Sequence, residues 1–303
     1  MNVPQGFLEG EIRDGFYVES MMKKTWAAQL EVLNDVDKIC RKHDIQYFAD
    51  WGTLLGAIRH KGFIPWDDDM DITMKHQDLI KFCDVVSQEM KGYEIVNLHT
   101  DPGWNSLITR IVNTRRIRFD DEHLNKFHGC PWAIGLDIFP LDYVAPAKED
   151  DEFQCNVIKI ITFFAENLKS DQYDKEDIKK NAEEIEKMCG VKFNDKEPLR
   201  KQLLKLAEQL CMMYSEEEAT QIALMPDHAG PRPNDVYPKE YYSDSIYVPF
   251  EYTTIPVPVG YEPILKQKYG EDYMTPIIGA SSHDYPFYRK QKRELYAQMG
   301  IKI

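Results

Sequence analysis

Four aspartates, Asp67, Asp68, Asp69 and Asp71, crowd one short stretch ahead of Ile72. In an extended chain the side chains alternate, so Asp67, Asp69 and Asp71 share one face while Asp68, Met70 and Ile72 share the other. Carboxylates converging on one face repel each other unless a cation sits among them. Hard divalent cations such as Mg2+ and Mn2+ prefer oxygen ligands of this kind. Asp69 and Asp71 are therefore candidate metal ligands, and Asp67 is placed to support them by orienting a cationic partner. Upstream, Gly52-Thr53 opens the apolar run LLGAI behind a short aromatic stretch, a pattern of strand, tight turn and helix. A helix start offers free N–H groups and a partial positive charge, which suit phosphate. Gly52 lets the backbone come close to a ligand, Thr53 adds a hydroxyl, and Arg59, His60 and Lys61 add positive charge. A phosphate cradle beside metal-binding carboxylates suggests phosphoryl or nucleotidyl transfer. An acidic surface turn beside an ordinary helix start would account for the aspartates alone.

A further carboxylate lies in WAIGLDIFPLDYV, residues 132–144. Asp137 stands between Leu136 and Ile138 in a mostly apolar strand. A carboxylate there is costly to bury unless it is paired or metal-bound. Its charge therefore needs a partner or a metal; capping of a local turn is the structural alternative. Asp142, near the strand's end, reads as a loop cap.

The segment GTLLGAIRHKGFIPWDDDMDI resembles the signature of the LicD family of phosphocholine transferases. VPFE, IPVPVGYEPILKQKYGEDYMTP and HDYPFYRKQ are similar to that family's C-terminal pattern, and LDIFPLD to its IDIFPLD segment. The resemblance covers most of the chain and is weakest over its middle. More distant relatives are fukutin and the fukutin-related protein, which transfer ribitol phosphate from a CDP donor. The resemblance implies a nucleotidyltransferase fold, with Asp137 in the place of the third carboxylate, where it is either a third metal ligand or the base that takes a proton from the attacking hydroxyl. It also implies transfer of a phosphocholine-type group from a CDP-activated donor to a sugar hydroxyl, with CMP leaving. The acceptor would be a cell-surface glycan precursor, a teichoic acid or lipopolysaccharide unit. Two other transfers fit the same residues: another CDP-linked group, such as a polyol phosphate or phosphoethanolamine, and the chemistry of an Asp-x-Asp glycosyltransferase. The latter normally has nucleotide-binding strands ahead of the motif, whereas the first 44 residues look largely helical. A non-catalytic module would have no need of Gly52, Thr53, Asp69, Asp71 and Asp137 together.

Composition narrows the partners. A formal net charge of −14 over 303 residues argues against a surface that tracks nucleic acid. No apolar window reaches the length of a transmembrane helix, and the first residues lack a basic region followed by an apolar core. The expectation is a cytoplasmic protein, with at most peripheral association with membrane-bound glycan precursors. The six cysteines are scattered and read as free, mostly buried thiols. His128 and Cys130 would be two ligands of a zinc site that lacks a second pair.

The elements that must position these residues follow from apolar periodicity. The pattern predicts an α+β fold, a mixed sheet flanked by helices that the resemblance implies is nucleotidyltransferase-like, with a helical subdomain and a Pro/Tyr-rich C-terminal segment. The predicted divisions are 1–146 for the catalytic core, 147–228 for the helical subdomain and 229–303 for a segment packing back on the core. Helices are expected at 17–44, 76–90, 149–168, 175–189, 197–214 and 261–269. Strands are expected at 45–51, up to 74, 93–99, 106–112, 116–119, 132–144 and 255–259. Residues 120–122 read as a solvated loop, and Phe163, Phe164 and Met212-Met213-Tyr214 read as core.

Overall fold

The computed structural model describes residues 1–168, 174–278 and 285–301. In chain order the elements are β1 (Glu11–Arg13), β2 (Phe16–Val18), α1 (Ser20–Lys42), β3 (Phe48–Ala49), α2 (Trp51–Arg59), β4 (Asp71–Lys75), α3 (His76–Glu89), β5 (Glu94–Val96), β6 (Thr109–Val112), α4 (Asp121–Lys126), β7 (Gly135–Tyr143), α5 (Lys148–Asn167), α6 (Lys175–Cys189), α7 (Leu199–Cys211), β8 (Gln221–Ala223), α8 (Met225–His228), β9 (Val236–Pro238), β10 (Ser245–Phe250), β11 (Thr253–Pro258), α9 (Tyr261–Tyr269) and α10 (Tyr288–Gln298). The fold is α+β, with a mixed sheet flanked by helices. The chain divides into two compact units, one of residues 1–95, 110–139 and 241–303, the other of residues 96–109 and 140–240. The sequence reading places its boundaries at 146 and 228; the units change over at Phe139–Pro140 and Glu240–Tyr241.

The first unit is built on strands in the order β3-β4-β7-β6-β5. β3 pairs antiparallel with β4, Phe48 opposite Thr73 and Ala49 opposite Ile72. The Thr73 hydroxyl donates to the Phe139 carbonyl (2.7 Å) and the Asp137 N–H to the Met70 carbonyl (3.1 Å), which registers β7 beside the aspartate stretch. α1 buries Met22, Trp26, Leu30 and Leu33, residues at helical spacing. Trp26 stacks on Phe63 with centroids 4.8 Å apart, and Phe63 meets Phe250 of β10 edge-on at 5.0 Å. In the second unit β8 pairs with the end of β7 and with β9. Val157, Ile161 and Phe164 of α5 pack with Leu203 and Ala207 of α7 and Ile185 of α6.

Several elements differ from expectation. Residues 16–18 are a strand that pairs with β1, so the first helix starts at Ser20. Residues 116–119 form no strand; the Arg118 guanidinium instead pairs with Asp120 (2.7 and 2.8 Å). Asp120 caps α4 by accepting the His123 N–H, so 120–122 is a helix start and no loose loop. Phe164 is buried, but Phe163, one position before it on α5, is 64% exposed, and Met213, past the end of α7, is 56% exposed. Asp142, read as a loop cap, lies buried inside β7, opposite Ala223. The cysteines are free, and Cys40, Cys130 and Cys211 are buried. His128 faces Glu31 (3.0 Å) and Cys130 faces Thr25 (3.8 Å), so they do not share a metal site.

One buried ion pair ties α2 to α9. Lys268 donates to the Asp50 carboxylate (2.5 Å), both side chains being 5% exposed. The same carboxylate caps α2 by accepting the Trp51 N–H (2.7 Å). Removing one partner of a buried pair leaves the other charge without compensation. Lys268→Met is expected to lower stability by about 3–5 kcal/mol in urea unfolding, and the Asp50→Asn/Lys268→Met double variant to recover part of that loss.

Candidate active site

The aspartate stretch keeps its alternation although only its end is strand. Asp67, Asp69 and Asp71 are half-buried, while Asp68, Met70 and Ile72 are buried. β4 begins only at Asp71, so residues 67–70 are extended without being paired as strand. One oxygen each of Asp67, Asp68 and Asp69 lies within 4.8 Å of the other two. Asp68 points inward, where its carboxylate accepts the Phe287 N–H (2.5 Å) and its carbonyl accepts from Gln29 (2.9 Å). The Trp26 indole N–H donates to the Asp67 carbonyl (3.2 Å), so two side chains of α1 hold this stretch from behind.

The Gly-Thr turn is joined to the aspartates directly. The Thr53 hydroxyl accepts the Asp71 N–H (2.8 Å), and the Asp71 carbonyl accepts the Asp50 N–H (3.1 Å). A Cβ added at Gly52 would run into the Asp67 carboxylate. Gly52 therefore gives room to a side chain of the acidic stretch. The helix start itself is strained: Trp51 holds φ at +47°, an outlier for a bulky residue and of a kind that clusters at functional sites. The Lys268 ammonium lies 3.7 Å from the Trp51 ring and helps to hold it there.

Electrostatics set the character of the site. Burial first, then the Asp69 charge, pushes Asp67 well above the usual carboxylate range. Burial, then Asp69, Asp137, Asp67 and Asp50, does the same to Asp71. Asp137 joins this group from β7, and both its oxygens are held by the Arg110 guanidinium, Nε to Oδ1 and Nη2 to Oδ2, the latter at 2.6 Å. Burial pulls Arg110 down, but Asp137, followed by Asp71 and Asp69, more than reverses this. Arg110 is the residue that sequence reasoning missed. It stands in SLITRIV as one cation in an apolar strand, the mirror of Asp137 in its own strand, and matching those two isolated charges would have found the pair.

Arg59, which ends α2, and His60 beside it have other partners. Arg59 donates to the Tyr273 carbonyl (3.0 Å) and to His60 (2.8 Å). His60 pairs with Asp14 (3.0 Å). Lys61 and His60 line a cavity of about 340 Å³ with Arg13, Asp14, Phe63, Pro65 and Glu251. There the Arg13 guanidinium grips Glu251 through two bonds (2.6 and 2.9 Å). His283 and Asp284 of the HDYPFYRKQ segment lie outside the described residues.

Residues 44–142 match a family model described as LicD/FKTN/FKRP, nucleotidyltransferase domain. The chain is similar to the lipopolysaccharide cholinephosphotransferase LicD of Haemophilus influenzae, 29% identical over 251 residues that make up 81% of this chain and 88% of that protein. Uncharacterised proteins of Rickettsia typhi and Rickettsia prowazekii are 42% and 41% identical over 66 residues, 22% of this chain and 21% and 25% of theirs.

Two variants check this geometry. Arg110→Gln removes the counter-charge of Asp137, so added Mn2+ is expected to raise its melting temperature more than that of the wild type; equal increments would show that Arg110 does not offset the carboxylates. Gly52→Ala is expected to fold and to bind Mn2+ more weakly through a displaced Asp67. Calorimetry with unchanged affinity would show that Asp67 gives way freely.

Proposed function

Because this chain belongs to the LicD family through the nucleotidyltransferase domain at residues 44–142, we propose that it transfers a phosphocholine-type group from a CDP-linked donor to a sugar hydroxyl of a cell-surface glycan. Lipopolysaccharide is the first acceptor to consider, since it stands in the name of the relative that aligns along most of the chain. The observation that carries the chemistry is the bond from the Asp71 N–H to the Thr53 hydroxyl. It makes the helix start and the acidic stretch one built unit.

The residues fit a divalent cation, Mg2+ or Mn2+. Half-buried carboxylates of one sign, with Asp67 and Asp71 both pushed upward by burial and then by the Asp69 charge, are what a cation would relieve. Asp69, Asp71 and Asp137 would hold it, with Asp67 in support. When bound, such a cation neutralises charge building on the leaving CMP. The chain's own groups do the rest. The N–H groups at the start of α2 face the donor's phosphates, and the remaining hydrogen-bonding capacity of Thr53 lies beside them. Arg110, held on Asp137 and with its charge favoured further by Asp71 and Asp69, supplies a planar cation suited to phosphate oxygens.

The test supplies CDP-choline, CDP-ethanolamine or CDP-ribitol with a lipopolysaccharide or teichoic acid acceptor and follows CMP release and glycan mass. Transfer from CDP-choline is expected, and Asp69→Asn and Asp71→Asn should each lower turnover by roughly a thousandfold while keeping the fold. Full turnover in excess chelator would remove the cation from the reading. Transfer confined to CDP-ribitol or CDP-ethanolamine would replace the choline donor.

A further inference from the structure

In the second unit three potential ligands of different chemistry meet. Asp151 and Cys155 stand one turn apart on α5, and His228 ends α8. One ligand atom from each lies within 4.8 Å of the others. His228 Nε2 is 3.0 and 3.2 Å from the two Asp151 oxygens, and Cys155 Sγ is 3.5 Å from Asp151 Oδ1. The orientation of the imidazole is set from its far side. His228 Nδ1 lies 2.9 Å from the Pro233 carbonyl, a group that only accepts, so Nδ1 carries a proton and donates it there. Nε2 then turns its lone pair to a carboxylate, and two acceptors at 3.0 Å need a cation between them. A second proton on the ring is one such cation; a metal ion is the other.

The geometry points to a site for a borderline-soft divalent metal, of which Zn2+ is the type, held by Asp151 Oδ, Cys155 Sγ and His228 Nε2. Zinc bonds to nitrogen, oxygen and sulfur at the usual lengths and a tetrahedral angle would put N and O about 3.4 Å apart and S and O about 3.6 Å apart. The observed 3.0 and 3.5 Å require an opening of a few tenths of an ångström. A histidine fixed by a carbonyl on its other nitrogen is the usual outer support of such a ligand. The Pro233 carbonyl is itself held in place, because the turn that carries it closes on Asp227 through the N–H groups of Gly230 (3.1 Å) and Arg232 (2.8 Å). Cys155 also packs against the apolar cluster of Val144, Ile158, Ala223 and Met225, which shields one side. The ligand set of one thiolate, one imidazole and one carboxylate differs from the all-oxygen group at Asp67–Asp71, so the two would select different ions. Burial and Asp151 keep the Cys155 proton on in the absence of metal, so uptake releases a proton to solvent. The metal would link α5 to α8 and stabilise the unit by mass action.

The experiment uses the full chain, stripped with chelator and titrated with Co2+ and then Zn2+. Co2+ is expected to bind with a sulfur-to-metal charge-transfer band and the intense visible bands of a four-coordinate site, to be displaced by Zn2+, and to raise the melting temperature. Cys155→Ser should abolish the charge-transfer band, and His228→Gln should abolish the visible bands. Asp69→Asn/Asp71→Asn should keep both, which separates this site from the proposed transferase site. Absence of a charge-transfer band in the wild type, or its persistence in Cys155→Ser, would overturn the proposal. So would a wild type that binds no Co2+ while His228→Gln lowers the melting temperature, the signature of a proton-held His–Asp pair alone.

Discussion

Like charges kept together away from water set the terms for the first unit. At short range and reduced dielectric, each added carboxylate raises the cost of ionising the others. Asp67 and Asp71 show that cost directly. The protein offsets it in three ways. Arg110 meets Asp137 with a two-point guanidinium contact, Lys268 meets Asp50 at the start of α2, and the Phe287 N–H meets Asp68. None of these partners comes from the aspartate stretch or its flanking helices. The sheet, α9 and the C-terminal segment therefore serve, in part, as the source of positive charge and N–H groups for one acidic point.

The strain at Trp51 belongs to the same arrangement. A left-handed tryptophan costs of the order of 1–3 kcal/mol and persists only where neighbours over-determine it. Here its N–H is taken by Asp50, its ring lies against the Lys268 ammonium, and Phe139 of β7 sits 5.8 Å away. The ion pair that neutralises Asp50 thus also holds the sharp entry into α2. That entry brings Gly52 under Asp67 and Thr53 under Asp71.

Much of this was legible in the residues. The alternation of Asp67, Asp69 and Asp71 against Asp68, Met70 and Ile72 survived even where no ladder forms, because burial of the apolar face is enough to impose it. Helices with long amphipathic patterns, such as Lys175–Cys189 and Tyr261–Tyr269, were readable to their ends. What escaped had weak local signals. The strands at Glu11–Arg13 and Phe16–Val18 are too short to show a period of two. Phe163 sits beside a true core residue, and composition alone cannot tell adjacent helical positions apart. Asp137 announced that it needed a partner but not which one, since pairing across strands is a property of the sheet. The Asp151, Cys155 and His228 group is spread over 77 residues and carries no motif.

The bond between Phe287 and Asp68 spans 219 residues. On the ribosome the acidic stretch emerges long before its last N–H partner has been made, and the first unit itself draws on three separate chain segments. Closing so long a loop is entropically costly and slows folding relative to local contacts. Residues 96–109 and 140–240, by contrast, can gather while the remainder is still being translated. Vectorial synthesis thus makes completion of the carboxylate site the late event in the life of the polypeptide. During that interval its most buried aspartate stays with water, and the nascent chain carries no finished catalytic centre.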